Sequence, residues 1–236
     1  MTEPVLDAAG VVKFLGHGAG RVHALRNVDL SLRGGELVLL MGPSGSGKTT
    51  LLSIMGCLMT PTEGTIRVRG RPIEGLDPEA RARIRSNHIG FIFQSYHLFP
   101  TLTAEDNVRL ALDVRGERSQ RKAARDVLGL VGLGHKTKAF PRELSGGEQQ
   151  RVAIARAIVG KPSAILADEP TGALDTENGK AIMTLLAEIA RDQSRGVLVV
   201  THDPRILPFA SRIVHIQDGR IVREEANGEA KRVSQS

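Results

Sequence analysis

Gly42-Pro43-Ser44-Gly45-Ser46-Gly47-Lys48-Thr49 is the stretch that decides how this chain folds. An apolar run at residues 36–41 leads into it, and an apolar helical pattern at 49–58 leads out, so the octapeptide joins a buried strand to a helix. Strand before and helix after is the context a phosphate-binding loop requires; the bland alternative is a flexible Gly-Ser turn. Glycines let backbone N–H groups curl around an anion, and the helix start adds about half a positive charge. Lys48 is placed to neutralise β- and γ-phosphate oxygens and the Thr49 hydroxyl to ligate Mg²⁺, with Thr50 one step further into the helix.

A second stretch points to the same chemistry. Residues 164–169 read AILADE, an apolar run that ends in two carboxylates. The C-terminal end of a parallel strand lies in the crevice where such sheets bind ligands. Asp168 can hold Mg²⁺ through its water shell, and Glu169 can position and polarise an attacking water. Adjacent acids are also common as solvated turn residues, and the pairing with the phosphate loop selects the catalytic role. A third stretch, Leu144-Ser145-Gly146-Gly147-Glu148-Gln149-Gln150, opens a helix that continues through Arg151, Ile154 and Ile158. Ser145 with Glu148 three positions on is a capping box. The two glycines cost helix entropy, which makes sense where exposed N–H groups must approach an anion closely.

Apolar runs without alternation at 36–41, 163–167 and 196–200 read as strands buried on both faces of a parallel sheet. Helical spacing lies between them: Ile182, Leu185, Leu186 and Ile189 follow the Asp175-Thr176 cap, and Ala123, Val127, Leu130 and Val131 follow Ser119. Alternating strands and helices define an α/β fold. Ahead of this part, residues 5–14, 22–32 and 65–68 read as antiparallel strands with Gly-rich turns. Residues 95–160 carry helical patterns broken at Pro100, Gly116, Gly132, Gly134 and Pro141, and are expected as a helical insertion. The last stretch, ANGEAKRVSQS at 226–236, lacks apolar periodicity and is expected as a frayed tail. Residues 1–236 are expected to form a single domain.

Composition narrows the function. With 41% hydrophobic and 25% charged residues, a chain of 236 residues is neither disordered nor low in complexity. Aromatics at 3%, with no Trp and one Tyr, argue against readers of single-stranded nucleic acid, which stack bases on rings. The one cysteine, Cys57, makes no internal disulfide, suits a reducing compartment and, within an apolar helix, reads as a small buried hydrophobe. The first ten residues carry acids and no base, the wrong charge for a secretory leader. No uncharged stretch suffices to cross ~30 Å of hydrocarbon, so a direct membrane span is not expected and membrane work falls to another subunit. A net charge of +6 permits anionic partners without choosing among them. The densest basic runs, Arg81-Arg83-Arg85 and Arg118-Arg121-Lys122-Arg125, are read as solvated helix faces.

Gly42 to Thr49, Gln94, LSGGE at 144–148, AILADE at 164–169, Gly172-Ala-Leu-Asp175 and His202, in this order, resemble the motif series of ABC ATPase subunits over nearly the whole chain. The resemblance implies a P-loop NTPase fold with a mixed sheet core, an antiparallel β subdomain and an inserted helical subdomain, taking ATP and Mg²⁺ as cofactors. It implies that Gln94 reaches Mg²⁺ or the attacking water and senses a partner subunit, and that Thr49, Gln94 and Asp168 form the metal set. Ser145, Gly146, Gly147 and Glu148 match the signature that closes over ATP held by a second protomer, and Asp175 matches a dimer-interface position. His202 matches a histidine that contacts γ-phosphate; a neutral imidazole can donate one hydrogen bond to phosphate while its other nitrogen accepts. His88, His97 and His135 read as structural. Phe14 falls where the family carries an aromatic stacked on adenine, the alternative being a core strand residue.

Within the family, MGCLMTPTEG at 55–64 and LADEPTGALD at 166–175 resemble the macrolide-export (MacB-type), lipoprotein-release (LolD-type) and heterocyst glycolipid-export (DevA-type) group, with the cell-division ATPase FtsE close by. Sugar-importer ATPases typically carry a further domain after the switch histidine, for which residues 204–236 leave no room. The implied protein is an ATP-hydrolysing subunit at the cytoplasmic face of the cell membrane. It dimerises head to tail around two Mg-ATP, as a homodimer or pseudo-symmetric pair, and powers a separate integral membrane permease for export or lipoprotein or lipid extraction. Residues 94–103, with Tyr96, Leu98 and Phe99, are expected either to form the permease groove or to pack within the domain. The alternative is an FtsE-like ATPase that regulates an envelope or cell-division complex without moving cargo. A nucleic-acid ATPase is disfavoured by the single cassette and the lack of a focused basic stripe.

Overall fold

The computed structural model describes residues 3–16, 18–116 and 120–226. Arg118, Ser119 and the tail beyond Ala226 lie outside these described residues. The chain opens with β1 (Leu6–Leu15) and β2 (Val22–Leu32), antiparallel, with Leu6 opposite Leu32 and Phe14 opposite His23. It continues through β3 (Leu37–Met41), α1 (Lys48–Met55), β4 (Glu63–Val68), the short β5 (Arg71–Pro72), α2 (Pro78–His88) and β6 (Ile89–Phe93). Three helices follow, α3 (Ala104–Asp113), α4 (Arg121–Leu130) and α5 (Gly146–Ile158), with no strand among the described residues between Phe93 and Ala164. The chain then returns through β7 (Ala164–Asp168), α6 (Thr176–Ala190), β8 (Gly196–Thr201), β9 (Arg212–Gln217) and β10 (Arg220–Ala226).

Two sheets result. One is antiparallel, ordered β2-β1-β4-β5; the other is mixed, ordered β10-β9-β3-β8-β7-β6, parallel throughout except for β10 against β9. The strand period of two divides the mixed sheet between two cores. Leu37, Leu39, Ile165, Ala167, Val197 and Val199 face α3–α6 on one side. Val38, Leu40, Ala164, Leu166, Leu198 and Val200 face α1 and the antiparallel sheet on the other. Burial on both faces is why these strands read as unbroken apolar runs.

The outcome departs from expectation at specific places. β6, β9 and β10 supply half of the mixed sheet and were not anticipated. α1 ends at Met55, three residues short of the expected 58, because Gly56 caps it and Cys57 turns left-handed at φ 57. Cys57 is buried but follows the helix instead of lying on it. α4 takes Gln120 as its N-cap residue, without a side-chain cap bond. Nor are the basic runs simply solvated: Arg85 donates to the Cys57 carbonyl at 3.1 Å, and Arg125 pairs at 2.8 Å with the buried carboxylate of Glu105.

Register brings the functional ends together. Met41 pairs with Thr201, Val200 with Asp168, and Asp168 with Phe93, so the C-terminal ends of four parallel strands share one edge.

Candidate functional site

The loop from β3 into α1 is built on glycines, two of them fixed by close approach and two by left-handed backbone. Gly45 and Gly47 have φ of 77° and 101°, and a Cβ on Gly47 would stand 2.7 Å from the Ala24 carbonyl. A Cβ on Gly42 would meet the Ile216 carbonyl at 2.1 Å. Lys48, 9% exposed, folds back so that Nζ donates to the carbonyls of Gly42 at 2.7 Å and Pro43 at 2.8 Å. Ser46 Oγ, beside Gly42 in the same loop, is buried without a hydrogen-bond partner.

Thr49 and Asp168 meet across the two strands: the Thr49 hydroxyl donates to Asp168 Oδ1 at 3.4 Å. Burial pushes the Asp168 carboxyl above the usual aspartate range, against the opposing pull of Thr49 and Lys48. A half-buried carboxylate with too little positive charge nearby favours a cation, and a hydroxyl beside a carboxylate is the hard oxygen pair that suits Mg²⁺.

Glu169 follows in a left-handed conformation, φ 47°, a cost of about 1–2 kcal/mol for a residue with a Cβ. Its N–H donates to the Val200 carbonyl at 2.9 Å. Its carboxylate is held by Thr201, whose hydroxyl donates to Oε2 at 3.3 Å, and by His202 Nδ1, 2.7 Å from Oε1. Gln94, just past β6, brings Nε2 to 2.8 Å from where a Cβ on Gly172 would stand, so glycine there admits the amide.

A cavity of about 890 Å³ collects most of the expected set: Pro43, Ser44, Gly45, Gly47, Lys48, Thr49, Thr50, Gln94, Asp168, Glu169 and His202 all line it. Leu15, His23, Arg26 and the Asp218-Gly219 turn are among the further lining residues and were not anticipated. Phe14 is not among the lining residues; its ring is stacked on His23 at 4.2 Å with the Arg21 guanidinium 3.8 Å over it.

Gly42 and Ser46 belong to the same loop without lining the cavity, and the expected residues at 145–148 and 175 do not line it either. Ser145 caps α5, accepting from the Glu148 N–H at 3.3 Å while Glu148 accepts from the Ser145 N–H at 2.9 Å. The Lys136 ammonium, 2.6 Å away, holds the Glu148 carboxyl below the usual glutamate range. Cβ atoms on Gly146 and Gly147 would come within 2.9 Å of Tyr96 Oη and 2.7 Å of Asn178 Oδ1, so a side chain at either position would displace its neighbour. Asp175 caps α6, and the Asn178 N–H, at 2.9 Å, holds its carboxyl below the usual range.

Fold and cavity together define a P-loop nucleotide-binding protein: a phosphate-cradling loop with its lysine, a metal-ready carboxylate and a second carboxylate, all at one end of a parallel sheet. The chain belongs to the ABC transporter family, whose sequence model matches residues 25–172. It is 46% identical over 230 residues to the macrolide export ATP-binding/permease protein MacB of Salmonella paratyphi A, a match covering 97% of this chain and 35% of that protein. The chain thus spans about a third of the length of the curated relatives it matches. Among solved structures, the dimeric ATP-binding cassette MJ0796 bound to ADP and Pi superposes with a TM-score of 0.86 at 42% identity, covering 94% of this chain and 98% of that one. The structure of cbiO1 from Clostridium perfringens, part of the ABC transporter complex cbiONQ, gives 0.85 at 25% identity, covering 99% and 93%.

Proposed function

We propose that this chain is an ATP-hydrolysing subunit that closes as a head-to-tail dimer around two Mg-ATP and drives a membrane permease of the export or lipid-extraction class. The observation that carries this is the convergence of Lys48, the Thr49–Asp168 pair and the Glu169–His202 pair on one cavity. The glycine-rich start of α5 stands outside that cavity on the same chain. Such a cap is available to nucleotide bound by a second copy, as the dimeric relative bound to ADP and Pi suggests.

The chain's own groups account for the chemistry. Backbone N–H groups of residues 44–49 and the start of α1 receive phosphate oxygens, and Lys48 exchanges a carbonyl partner for phosphate. Thr49 and Asp168 would hold Mg²⁺, with Gln94 at the cavity edge; when bound, the ion would supply neutralisation of the phosphate charge. Glu169 orients a water and takes its proton as the γ-phosphoryl is transferred. The N–H groups and Ser145 hydroxyl of the partner copy complete the site. Cleavage removes the γ-phosphate that joins the two copies, so closure and opening follow the hydrolysis cycle.

A groove of about 460 Å³ runs between the sheet and the helical region, lined by Leu58, Phe91, Phe93, His97, Phe99 and Arg156. Leu58 and Phe99 are half exposed there, which suits a permease segment. Leu98 packs on the core instead, and Tyr96 turns toward Gly146. Among the described residues no helix is long and apolar enough to cross a membrane. The MacB relatives are described as ATP-binding/permease proteins, which supports a permease partner and an export role for this chain.

The test is affinity purification of tagged Glu169→Gln from detergent-solubilised native membranes with ATP. Recovery of a permease with a large extracytoplasmic domain is expected. Recovery of division proteins, ribosomes or nucleic acid instead overturns the transport assignment.

A further inference from the structure

Arg156 lies near the end of α5, ten residues past Gly146, and its side chain leaves the helix to reach the loop that follows Gln94. One guanidinium nitrogen donates to the Tyr96 carbonyl at 2.8 Å and the other to the His97 carbonyl at 2.5 Å. Tyr96 and His97 are both left-handed, with φ of 59° and 48°. Two consecutive non-glycine residues in that conformation cost about 1–2 kcal/mol each, so the bend persists only where its surroundings hold it. The Tyr96 side chain also lies against the start of α5, its Oη 2.9 Å from where a Cβ on Gly146 would stand. Gly146 and Arg156 are roughly 15 Å apart along the helix, at 1.5 Å per residue. The loop is therefore laid along α5 and fastened to it by Arg156. On its far side, His97, Phe99 and Arg156 line the groove.

We infer that Arg156 is a positioning residue for hydrolysis, fastening the loop after Gln94 to α5 so that Gln94 and the Ser145–Glu148 cap move as one body when a partner presses on the groove. This rests on the roles proposed above for Gln94 and for the start of α5. Without the fastening, the bend relaxes and the Gln94 amide leaves its place beside Gly172. The phosphate loop, carried by β3 and α1, keeps its own geometry. Burial pulls the Arg156 guanidinium below the usual arginine range, because water is withdrawn from the charged group.

Arg156→Ala and Arg156→Lys are to be compared with the unaltered chain by amide hydrogen exchange and by steady-state ATP hydrolysis. In Arg156→Ala, exchange at residues 95–99 should quicken by roughly tenfold or more while residues 42–50 stay unchanged. Turnover should fall by roughly tenfold or more with KM for ATP changed by less than about twofold, and Arg156→Lys should recover part of both effects because an ammonium still reaches one carbonyl. Unchanged exchange at 95–99, exchange raised equally throughout the chain, or full turnover despite a loosened loop would each overturn the inference. If Arg156→Ala does not fold, Arg156→Gln, which keeps two donors but shortens their reach, takes its place with the same readouts. An unaltered chain that hydrolyses no ATP would count against the proposed function instead, and the exchange comparison would still decide whether the fastening exists.

Discussion

Glu169 Oε1 lies 2.7 Å from Nδ1 of His202, across the gap between the ends of β7 and β8. An ionised carboxylate only accepts hydrogen bonds, so Nδ1 carries the proton in this pair. Nε2 is then the nitrogen left for the cavity, and the His202 side chain is 76% exposed. This differs from the simple expectation of one nitrogen donating to phosphate and the other accepting. With Nδ1 committed to Glu169, donation from Nε2 requires either an imidazolium or a break in the pair.

Glu169→Gln separates shape from basicity. The amide oxygen can still accept from Nδ1, so nucleotide affinity should stay within about threefold, while loss of the proton acceptor should lower turnover by roughly 10²–10⁴-fold. Phosphate release under saturating Mg-ATP checks this. Near-normal turnover would reject Glu169 as the base.

Lys48→Ala acts on binding. The ammonium that now spans the carbonyls of Gly42 and Pro43 is, among the described residues, the only lysine lining the cavity, and its loss should weaken ATP binding by roughly tenfold or more. Equilibrium titration with ATP reads the change directly; unaltered affinity would remove Lys48 from the phosphate site.

Asn107 supports the segment leading to the groove. It is fully buried; Oδ1 accepts from the Phe99 N–H at 2.8 Å, and Nδ2 donates to the carbonyls of Phe99, Leu102 and Thr103 at 3.0–3.1 Å. Asn107→Leu strands these groups and should lower the unfolding free energy by about 2–4 kcal/mol. Urea denaturation gives the number, and a loss under about 0.5 kcal/mol would contradict the bracing role.

Cys57 supplies a pH test. Burial pushes its thiol from 9.0 up to about 11, against the pull of Arg85 and Arg81. The folded state therefore favours the neutral thiol: the stabilisation is complete below pH 9 and is lost as pH rises from 9 toward 11, by up to about 3 kcal/mol at 1.36 kcal/mol per unit. Unfolding free energies of the unaltered chain and Cys57→Ala should diverge in that window. Iodoacetamide at pH 8 should modify Cys57 only in denaturant.

What was legible in the sequence was local. The strands ending at Met41, Asp168 and Thr201 announce themselves as unbroken apolar runs, and the residues that do chemistry sit immediately after them. β6 was hidden because α2 passes into it without a turn, Ile89 being both helix cap and first strand residue. The β9–β10 hairpin did carry a signal: Asp218-Gly219, left-handed at φ 49° and 75°, is the Asp-Gly turn that joins two strands. Gly219 N–H donates to the Ser46 carbonyl at 3.1 Å, so this hairpin buttresses the phosphate loop from across the sheet. Thr201 on Glu169, Arg156 on Tyr96 and Asn107 on Phe99 are tertiary contacts between distant segments, and no spacing along the chain encodes them.

The most direct test of the central claim is the mass of Glu169→Gln by light scattering, with and without Mg-ATP. An ATPase whose site is completed by a second copy should weigh 25.4 kDa without nucleotide and twice that with it, because the closed state forms and cannot be discharged. A mass that stays at 25.4 kDa at saturating Mg-ATP, with ATP demonstrably bound, would contradict the account.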